Sequence, residues 1–398
     1  MVLQVIKTWV LFCLGLGLSI RLACYAGYST VPLQPISISN GETDSAAAGL
    51  GYDGQIWGEE GKSGDWRLLL QAIDYSLSYL ETPEAVAAYK NLAAPEITRN
   101  RVRQSLWRFR QLILTIRSPA ELQAAVQREF VLYQSIGQDG EGSVVFTGYF
   151  EPTYAASRTP TADYRYPLYR RPPTLEQWPL PHPTRVELEG IDGLQGGQGA
   201  LQGLELVWLR DRLEAFLIHV QGSARLQLTD GDIFTVGYAG RTEYTYTSVG
   251  RELVNDGKFR QEDLSLPNLI NYFQRHPDQL DLYLSRNQRF VFFRETNGSP
   301  AIGTLSIPVT AGRSIATDKS VMPPGALALI NLPLPYRTEA GQWTSHQVSR
   351  YVLDQDTGGA IQGPGRVDLF VGTGSEAGDQ AGLINTTGRL YYLFLREE

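Results

Sequence analysis

Three regimes of hydrophobic patterning succeed one another along the 398 residues. Near the N-terminus an apolar run from Trp9 to Ile20 follows Lys7 and is closed by Arg21, with small residues at Ala23, Ala26 and Gly27. This predicts a secretory signal over residues 1–26, because the run falls short of the roughly 20 residues that a membrane-crossing helix needs. Residues 27–62 are rich in Ser, Gly, Pro and Ala and lack apolar periodicity, which predicts an exposed, flexible leader.

From Asp65 to Gly137 the period becomes helical, with Trp66, Leu69, Leu70, Ile73, Leu77 and Leu80 on one face. Ser118-Pro119-Ala120-Glu121 reads as a capping box with proline at the first helical position, opening a helix that carries Leu122, Val126 and Phe130. Beyond Gly142 the pattern predicts strands at Val144–Phe146, Leu204–Leu209, Ala215–Val220 and Phe290–Phe293, separated by Gly and Pro. Proline and aromatics between Tyr164 and Pro183, and glycines between Gly190 and Gly203, read as loops around an inserted unit. The expectation is a mainly β chain with an N-terminal helical segment.

Composition narrows the function. A net charge of −7 and no long basic run give no footprint for nucleic acid. Both cysteines, Cys13 and Cys24, lie in the signal segment, which removes disulfides, thiolate metal sites and a cysteine nucleophile from the folded body. Leu22-Ala23-Cys24 is similar to a bacterial lipoprotein cleavage site, although Arg21 stands where such a site prefers leucine. Lipid attachment, and with it peripheral membrane association, stays open. His182, His219, His276 and His346 show no metal-ligand spacing, and Gly372-Thr373-Gly374 lacks the dinucleotide-binding spacing, so neither a metal nor another cofactor is expected.

The densest chemical signal runs from Asp356 to Gly374, where Asp356 and Asp368 stand among glycines and short apolar runs, with Asp379 shortly after. Glycine there permits left-handed backbone and close approach of a bulky ligand. Further blocks are Phe146–Pro152, Val220–Leu226 with Thr229–Gly231, Val236–Arg241 through Ser248–Gly250, Phe290–Glu295 and Ala311–Asp318. Together, in this order, they closely resemble the membrane-bound lytic murein transglycosylase A family with its three-aspartate C-terminal domain, over roughly residues 146–398.

That resemblance implies a double-psi β-barrel domain built from residues 63–158 and 300–398, a second β-domain inserted at 159–299, and a groove between them for peptidoglycan glycan strands. It implies cleavage of the bond between N-acetylmuramic acid and N-acetylglucosamine, with Asp368 as acid and then base and the muramyl 6-hydroxyl as internal nucleophile. Asp356 and Asp379 match the other two aspartates. Thr147, Tyr149, Gln221, Ser223 and Tyr238 could line a sugar groove, by stacking on apolar sugar faces and by bonding hydroxyl and N-acetyl groups. Export to the periplasm or cell envelope follows from the same likeness. Two other readings fit the pattern: a peptidoglycan-binding module without activity, and a glycan hydrolase using Glu151 as a second carboxylate, although Glu151 reads better as a salt-bridge or structural residue. Asp356-Thr357-Gly358 also resembles the active-site triplet of aspartic proteases, but it occurs once and leaves the other blocks unexplained. Nothing in the chain speaks to oligomeric state.

Overall fold

The computed structural model describes residues 31–36, 50–58 and 63–397, so the expected signal over residues 1–26, with both cysteines, lies outside the described part. Helical periodicity yields α1 (Trp66–Leu80), α2 (Pro83–Lys90), α3 (Arg99–Thr115) and α4 (Pro119–Glu129). On α1 the spaced Leu69, Ile73, Leu77 and Leu80 form the buried stripe. Thr82 and Thr98 cap α2 and α3 by accepting the amides of Ala85 and Arg101, each cap worth about 1 kcal/mol. On α4 Pro119 does open the helix, but the Ser118 side chain makes no capping bond, so the expected capping box is not formed. Phe130, expected on that helix, instead begins a strand and pairs with Leu395, because a buried aromatic fits either period and the C-terminal strand recruits it.

The strands are β1 (Leu33–Ile36), β2 (Phe130–Ser135), β3 (Val144–Glu151), β4 (Thr153–Ser157), β5 (Tyr166–Tyr169), β6 (Glu205–Leu209), β7 (Ser223–Leu228), β8 (Ile233–Arg241), β9 (Val291–Glu295), β10 (Ser314–Ala316), β11 (Leu327–Arg337), β12 (Trp343–Asp356), β13 (Arg366–Thr373) and β14 (Asn385–Leu395). Between them lie α5 (Arg185–Glu189), α6 (Arg212–Gln221), α7 (Val249–Asn255), α8 (Leu266–Arg275), α9 (Pro277–Leu284) and α10 (Ser375–Leu383). The order β14-β11-β12-β10-β13-β3, with β3 returning to β14, closes a six-stranded barrel, from which β2 and β1 extend at the edge of β14. Its parallel pairs are β3 with β13 and β10 with β12. Barrel and helices share one core that includes Ile73, Phe109, Phe146, Ile315, Leu329, Val367 and Tyr392.

Two stretches of the expected flexible leader are ordered. β1 pairs antiparallel with β2, and Leu50 and Ile56 are buried. Asp53 accepts from Arg313 Nη1 at 2.6 Å and from the Tyr351 amide at 3.0 Å. Arg313, fully buried, also donates from Nε to Asp65 at 2.9 Å, which withdraws that carboxylate from capping α1. A buried guanidinium deprived of either acid would be left uncompensated, so this end of the leader is tied firmly to the barrel.

A second sheet runs β5-β6-β4-β7-β8-β9. Its core holds Val207, Leu226, Val236 and Phe293. The run Ala215–Val220, expected as a strand, is the body of α6. Asp211 Oδ1 accepts the amides of Leu213 and Glu214 at 2.7 and 3.1 Å, and Gly222 ends the helix in the left-handed region at φ 80°. Ala215 and Ile218 join the core under the sheet, while Leu213, Phe216 and Leu217 join Leu253, Phe273 and Leu284 in a helical cluster. A helix buried on opposite sides shows no amphipathic period, which is why its apolar run imitates a strand.

Candidate active site

Parallel pairing of β13 with β3 sets Asp368 directly beside Thr147, and β10 brings Ala316 to its other side. The Thr147 hydroxyl donates to Asp368 Oδ1. Arg366 Nη2 in turn bonds Thr147 Oγ1 at 3.2 Å and stands 3.8 Å from Asp368 Oδ1. The Asp368 side chain is 21% exposed. Burial pushes its carboxyl up to about 6, with the Arg366 charge pulling it down and Asp356 adding to the rise.

Asp356 at the end of β12 lives in a different environment. Its Oδ1 accepts from the Thr304 amide at 2.8 Å, the Thr304 hydroxyl at 3.0 Å and the Thr357 amide at 2.8 Å, and its Oδ2 accepts from the Tyr149 hydroxyl at 2.9 Å. The carboxylate therefore holds two loops and a buried phenol in place. A Cβ on Gly303 would come within 2.8 Å of the Gln355 carbonyl oxygen and 3.1 Å of Asp356 Cγ, so only glycine lets that loop close on the acid. Burial, followed by the Asp356 charge, raises the Tyr149 phenol well above its ordinary range and keeps it a donor.

These groups open on a cleft of about 440 Å³. Tyr149, Asp356 and Asp368 line it from the barrel, while Gln221, Ser223 and Tyr238 line it from the α6–β7 junction and β8. Gln221 also fixes the junction, because its Oε1 accepts the Phe150 amide at 3.2 Å. Thr147 reaches the site through Asp368 rather than by lining the cleft. Asp379 stands exposed on α10, outside the cleft lining. The packed face of that helix is made by small residues: a Cβ at Gly378 would meet the Phe150 ring at 2.8 Å, and one at Gly148 would meet Ala381 Cα at 2.8 Å.

Glu151 is buried and accepts from the Thr373 hydroxyl at 2.9 Å. It does not line the cleft. It lies four positions along β3 from Thr147, a span of roughly 13 Å at strand rise. Among the described residues no group of three or more His, Cys, Asp or Glu side chains is placed to hold a metal ion.

Residues 145–294 match the MltA specific insert domain, and residues 313–394 match the 3D domain. Over 264 residues the chain is 31% identical to Membrane-bound lytic murein transglycosylase A of Escherichia coli (strain K12), an alignment covering 66% of this chain and 68% of that relative. The chain belongs to the membrane-bound lytic murein transglycosylase A family. The crystal structure of membrane-bound lytic murein transglycosylase from Agrobacterium tumefaciens superposes with a TM-score of 0.67 at 28% identity, over 83% of this chain and 93% of that one. E. coli MltA with bound chitohexaose gives 0.61 at 27%, over 75% and 88%. As a lytic murein transglycosylase the chain is an enzyme of peptidoglycan, and its relatives' membrane-bound designation is consistent with a place in the cell envelope.

In this lytic transglycosylase the cleft also contains residues that the sequence did not single out for it: His219, Tyr246, Arg289 and Thr304. His219 is buried between the rings of Phe290 and Phe293. Its Nδ1 faces Arg185 Nη2 at 3.1 Å and the Val291 amide at 3.3 Å, both donors, so Nδ1 accepts and the ring proton resides on Nε2. Burial and then Arg185 hold its pKa well below the ordinary value, so the ring stays neutral. The only sequence sign of this position was a histidine inside an apolar run. Thr304 gave none, since its role depends on a carboxylate 52 residues away.

Proposed function

We propose that Asp368 is the single acid and base of a lytic transglycosylation at the β-1,4 bond between N-acetylmuramic acid and N-acetylglucosamine. The observation that carries this reading is a cleft carboxyl raised to about 6 beside Asp356, whose carboxylate is already engaged by four hydrogen bonds. A carboxyl near 6 keeps a usable protonated fraction close to neutral pH. It donates its proton to the departing N-acetylglucosamine oxygen as the bond to the muramyl C1 breaks. The muramyl 6-hydroxyl then attacks C1 and returns its proton to Asp368, leaving a 1,6-anhydro end. Proximity of this internal hydroxyl replaces an activated water, so a second catalytic carboxylate is not needed. The remote, hydroxyl-bonded Glu151 supports this over a hydrolase pair.

Tyr149 and Tyr238 offer ring faces to sugars, and Gln221 and Ser223 offer polar groups. The chitohexaose bound by the E. coli relative supports a glycan in this cleft. In the same reading the closed barrel is double-psi, formed by residues 63–158 and 300–398 around an insert at 159–299. The two parallel strand pairs within the barrel support it, and β4, a strand of the second sheet, moves the entry of the insert towards Pro152. Asp379, exposed on α10 outside the cleft lining, takes no direct part in the step. Export to the periplasm or cell envelope is the corresponding proposal for location, either with removal of the segment 1–26 or with cleavage after Ala23 and lipid on Cys24 holding the enzyme at the outer membrane.

The test is mass spectrometry of soluble products after incubating the purified protein, or its Asp368→Asn variant, with peptidoglycan sacculi. Anhydro-muropeptides from the wild type alone are expected. Reducing-end products would make the enzyme a hydrolase, and sacculi bound but uncut would make the cleft a binding module.

A further inference from the structure

One cation of the cleft has no part in the reaction described above. Arg289, just ahead of β9, is 9% exposed and lines the cleft. Its Nε donates to the Tyr244 carbonyl oxygen at 2.8 Å, and its guanidinium lies 5.9 Å from the Tyr246 ring centre. The charged side chain that acts on it is another arginine, Arg241, and not an acid. Its two terminal nitrogens have no protein acceptor among the described residues, yet neither is sealed from the cleft. Burial and then Arg241 lower its pKa to about 10, so it remains a cation. A buried guanidinium without a carboxylate is an expensive arrangement in any fold.

The surroundings hold this cation in place. A Cβ on Gly359 would collide with Arg289 Nη1 and come within 2.7 Å of Cζ, so the loop Thr357–Ala360 lies directly against the guanidinium, and a side chain there would have to displace it. Arg241, exposed at the cleft edge, makes long bonds to the Thr242 and Tyr244 carbonyl oxygens at 3.4 and 3.5 Å and also bonds the Tyr238 phenol. The Tyr238 phenol feels both arginines.

We infer that Arg289, assisted by Arg241, forms a carboxylate-binding subsite that reads the acid group carried by the muramyl unit of the glycan. The inference rests on the reading of the cleft as the glycan site. Guanidinium presents a planar fork of donors that matches a carboxylate in bidentate fashion. The Asp356 carboxylate on the barrel side repels the same group, so the two sides together direct it to the arginines. Muramyl and glucosaminyl units alternate, and only the muramyl unit bears an acid group. A subsite that recognises it sets the register of the strand and thereby selects which of the two kinds of β-1,4 bond meets Asp368. Two sources share this chemistry: the lactyl carboxylate of a peptide-free unit and a carboxylate of the stem peptide.

The experiment measures dissociation constants for full-length protein carrying Asp368→Asn, which prevents turnover, with and without Arg289→Gln, Arg289→Lys or Arg241→Gln. The ligands are neutral chitohexaose, a peptide-free hexasaccharide of alternating muramyl and glucosaminyl units, and the same hexasaccharide bearing stem peptides. Arg289→Gln is expected to weaken an acidic ligand about tenfold or more and chitohexaose less than twofold. Arg289→Lys should restore part of the difference. Arg241→Gln, at the surface and safe for folding, should weaken the acidic ligand about threefold. Loss confined to the peptide-free glycan identifies the lactyl carboxylate, and loss confined to the peptide-bearing one identifies the stem. Equal loss for chitohexaose, or no loss for any ligand, overturns the subsite. Failure of the Asp368→Asn parent to bind any of the three would overturn the glycan reading of the cleft itself.

Discussion

On the barrel side of the cleft Asp356 is surrounded by hydrogen-bond donors from Tyr149, Thr304 and Thr357, whereas on the second-sheet side Arg289 has one carbonyl partner and no acid. One charge is spent on holding loops, and the other is kept available. Asp368 lies between these extremes: one hydroxyl donor and a distant guanidinium steady it, and burial raises it without consuming it. Charged residues of one pocket thus divide into those that build the site and those left to meet a ligand, according to how many protein partners each has.

The contrast breaks most visibly at Asp368. Replacement by Asn should lower cleavage of sacculi by about 10²–10⁴-fold. Stability should move the other way. A carboxyl near 6 in the folded state, against about 3.9 unfolded, is destabilising once pH exceeds the unfolded value, and the penalty is complete above pH 6, at on the order of 1–3 kcal/mol. Thermal melting at pH 8 should therefore show the Asn variant at or above wild type; a clear drop would mean that the side chain is structural.

The pH profile of the wild-type enzyme sharpens the same point. On the proposed proton-donor role of Asp368, kcat/KM should fall about tenfold per pH unit above about 6. A flat profile to pH 8 would remove the proton-donor role. Asp356→Ala tests the opposite kind of acid: it strands the Tyr149 hydroxyl and the Thr304 and Thr357 amides, which should cost about 2–4 kcal/mol in urea unfolding at neutral pH. Asp379→Asn should have the smallest effect, within about 0.5 kcal/mol and less than twofold in rate, since the side chain is exposed on α10. A large loss there would bring α10 into the site.

The helical face of α1 was legible from its spacing, and the strands at β3, β6 and β9 from short apolar runs of β-branched and aromatic residues bounded by Gly and Pro. α6 was not, since packing on opposite sides erased its period. The order in β1 and Asp53 was hidden as well: the partner that holds Asp53, Arg313, lies 260 residues away. Arg241 stood inside a recognised block without a role, and Arg289 lay just before another. Neither showed that it lacked an acid partner, because an absent contact leaves no trace in sequence.

Local sequence determined the succession of helical and strand patterns, the glycines where backbones must approach, and the presence of Asp356, Asp368 and Asp379 near the C-terminus. The family resemblance pointed to Asp368, but the physical difference between it and Asp356 appears only in three dimensions. Asp356 and Asp368 both stand among glycines and short apolar runs, and nothing adjacent to them differs enough to assign their tasks. Strand pairing delivers Thr147 to Asp368 from 221 residues away, and the curvature of the barrel delivers Tyr149 to Asp356 from 207. A carboxyl's proton affinity follows from burial and from the donors and charges around it, and here those are supplied mostly by remote parts of the chain.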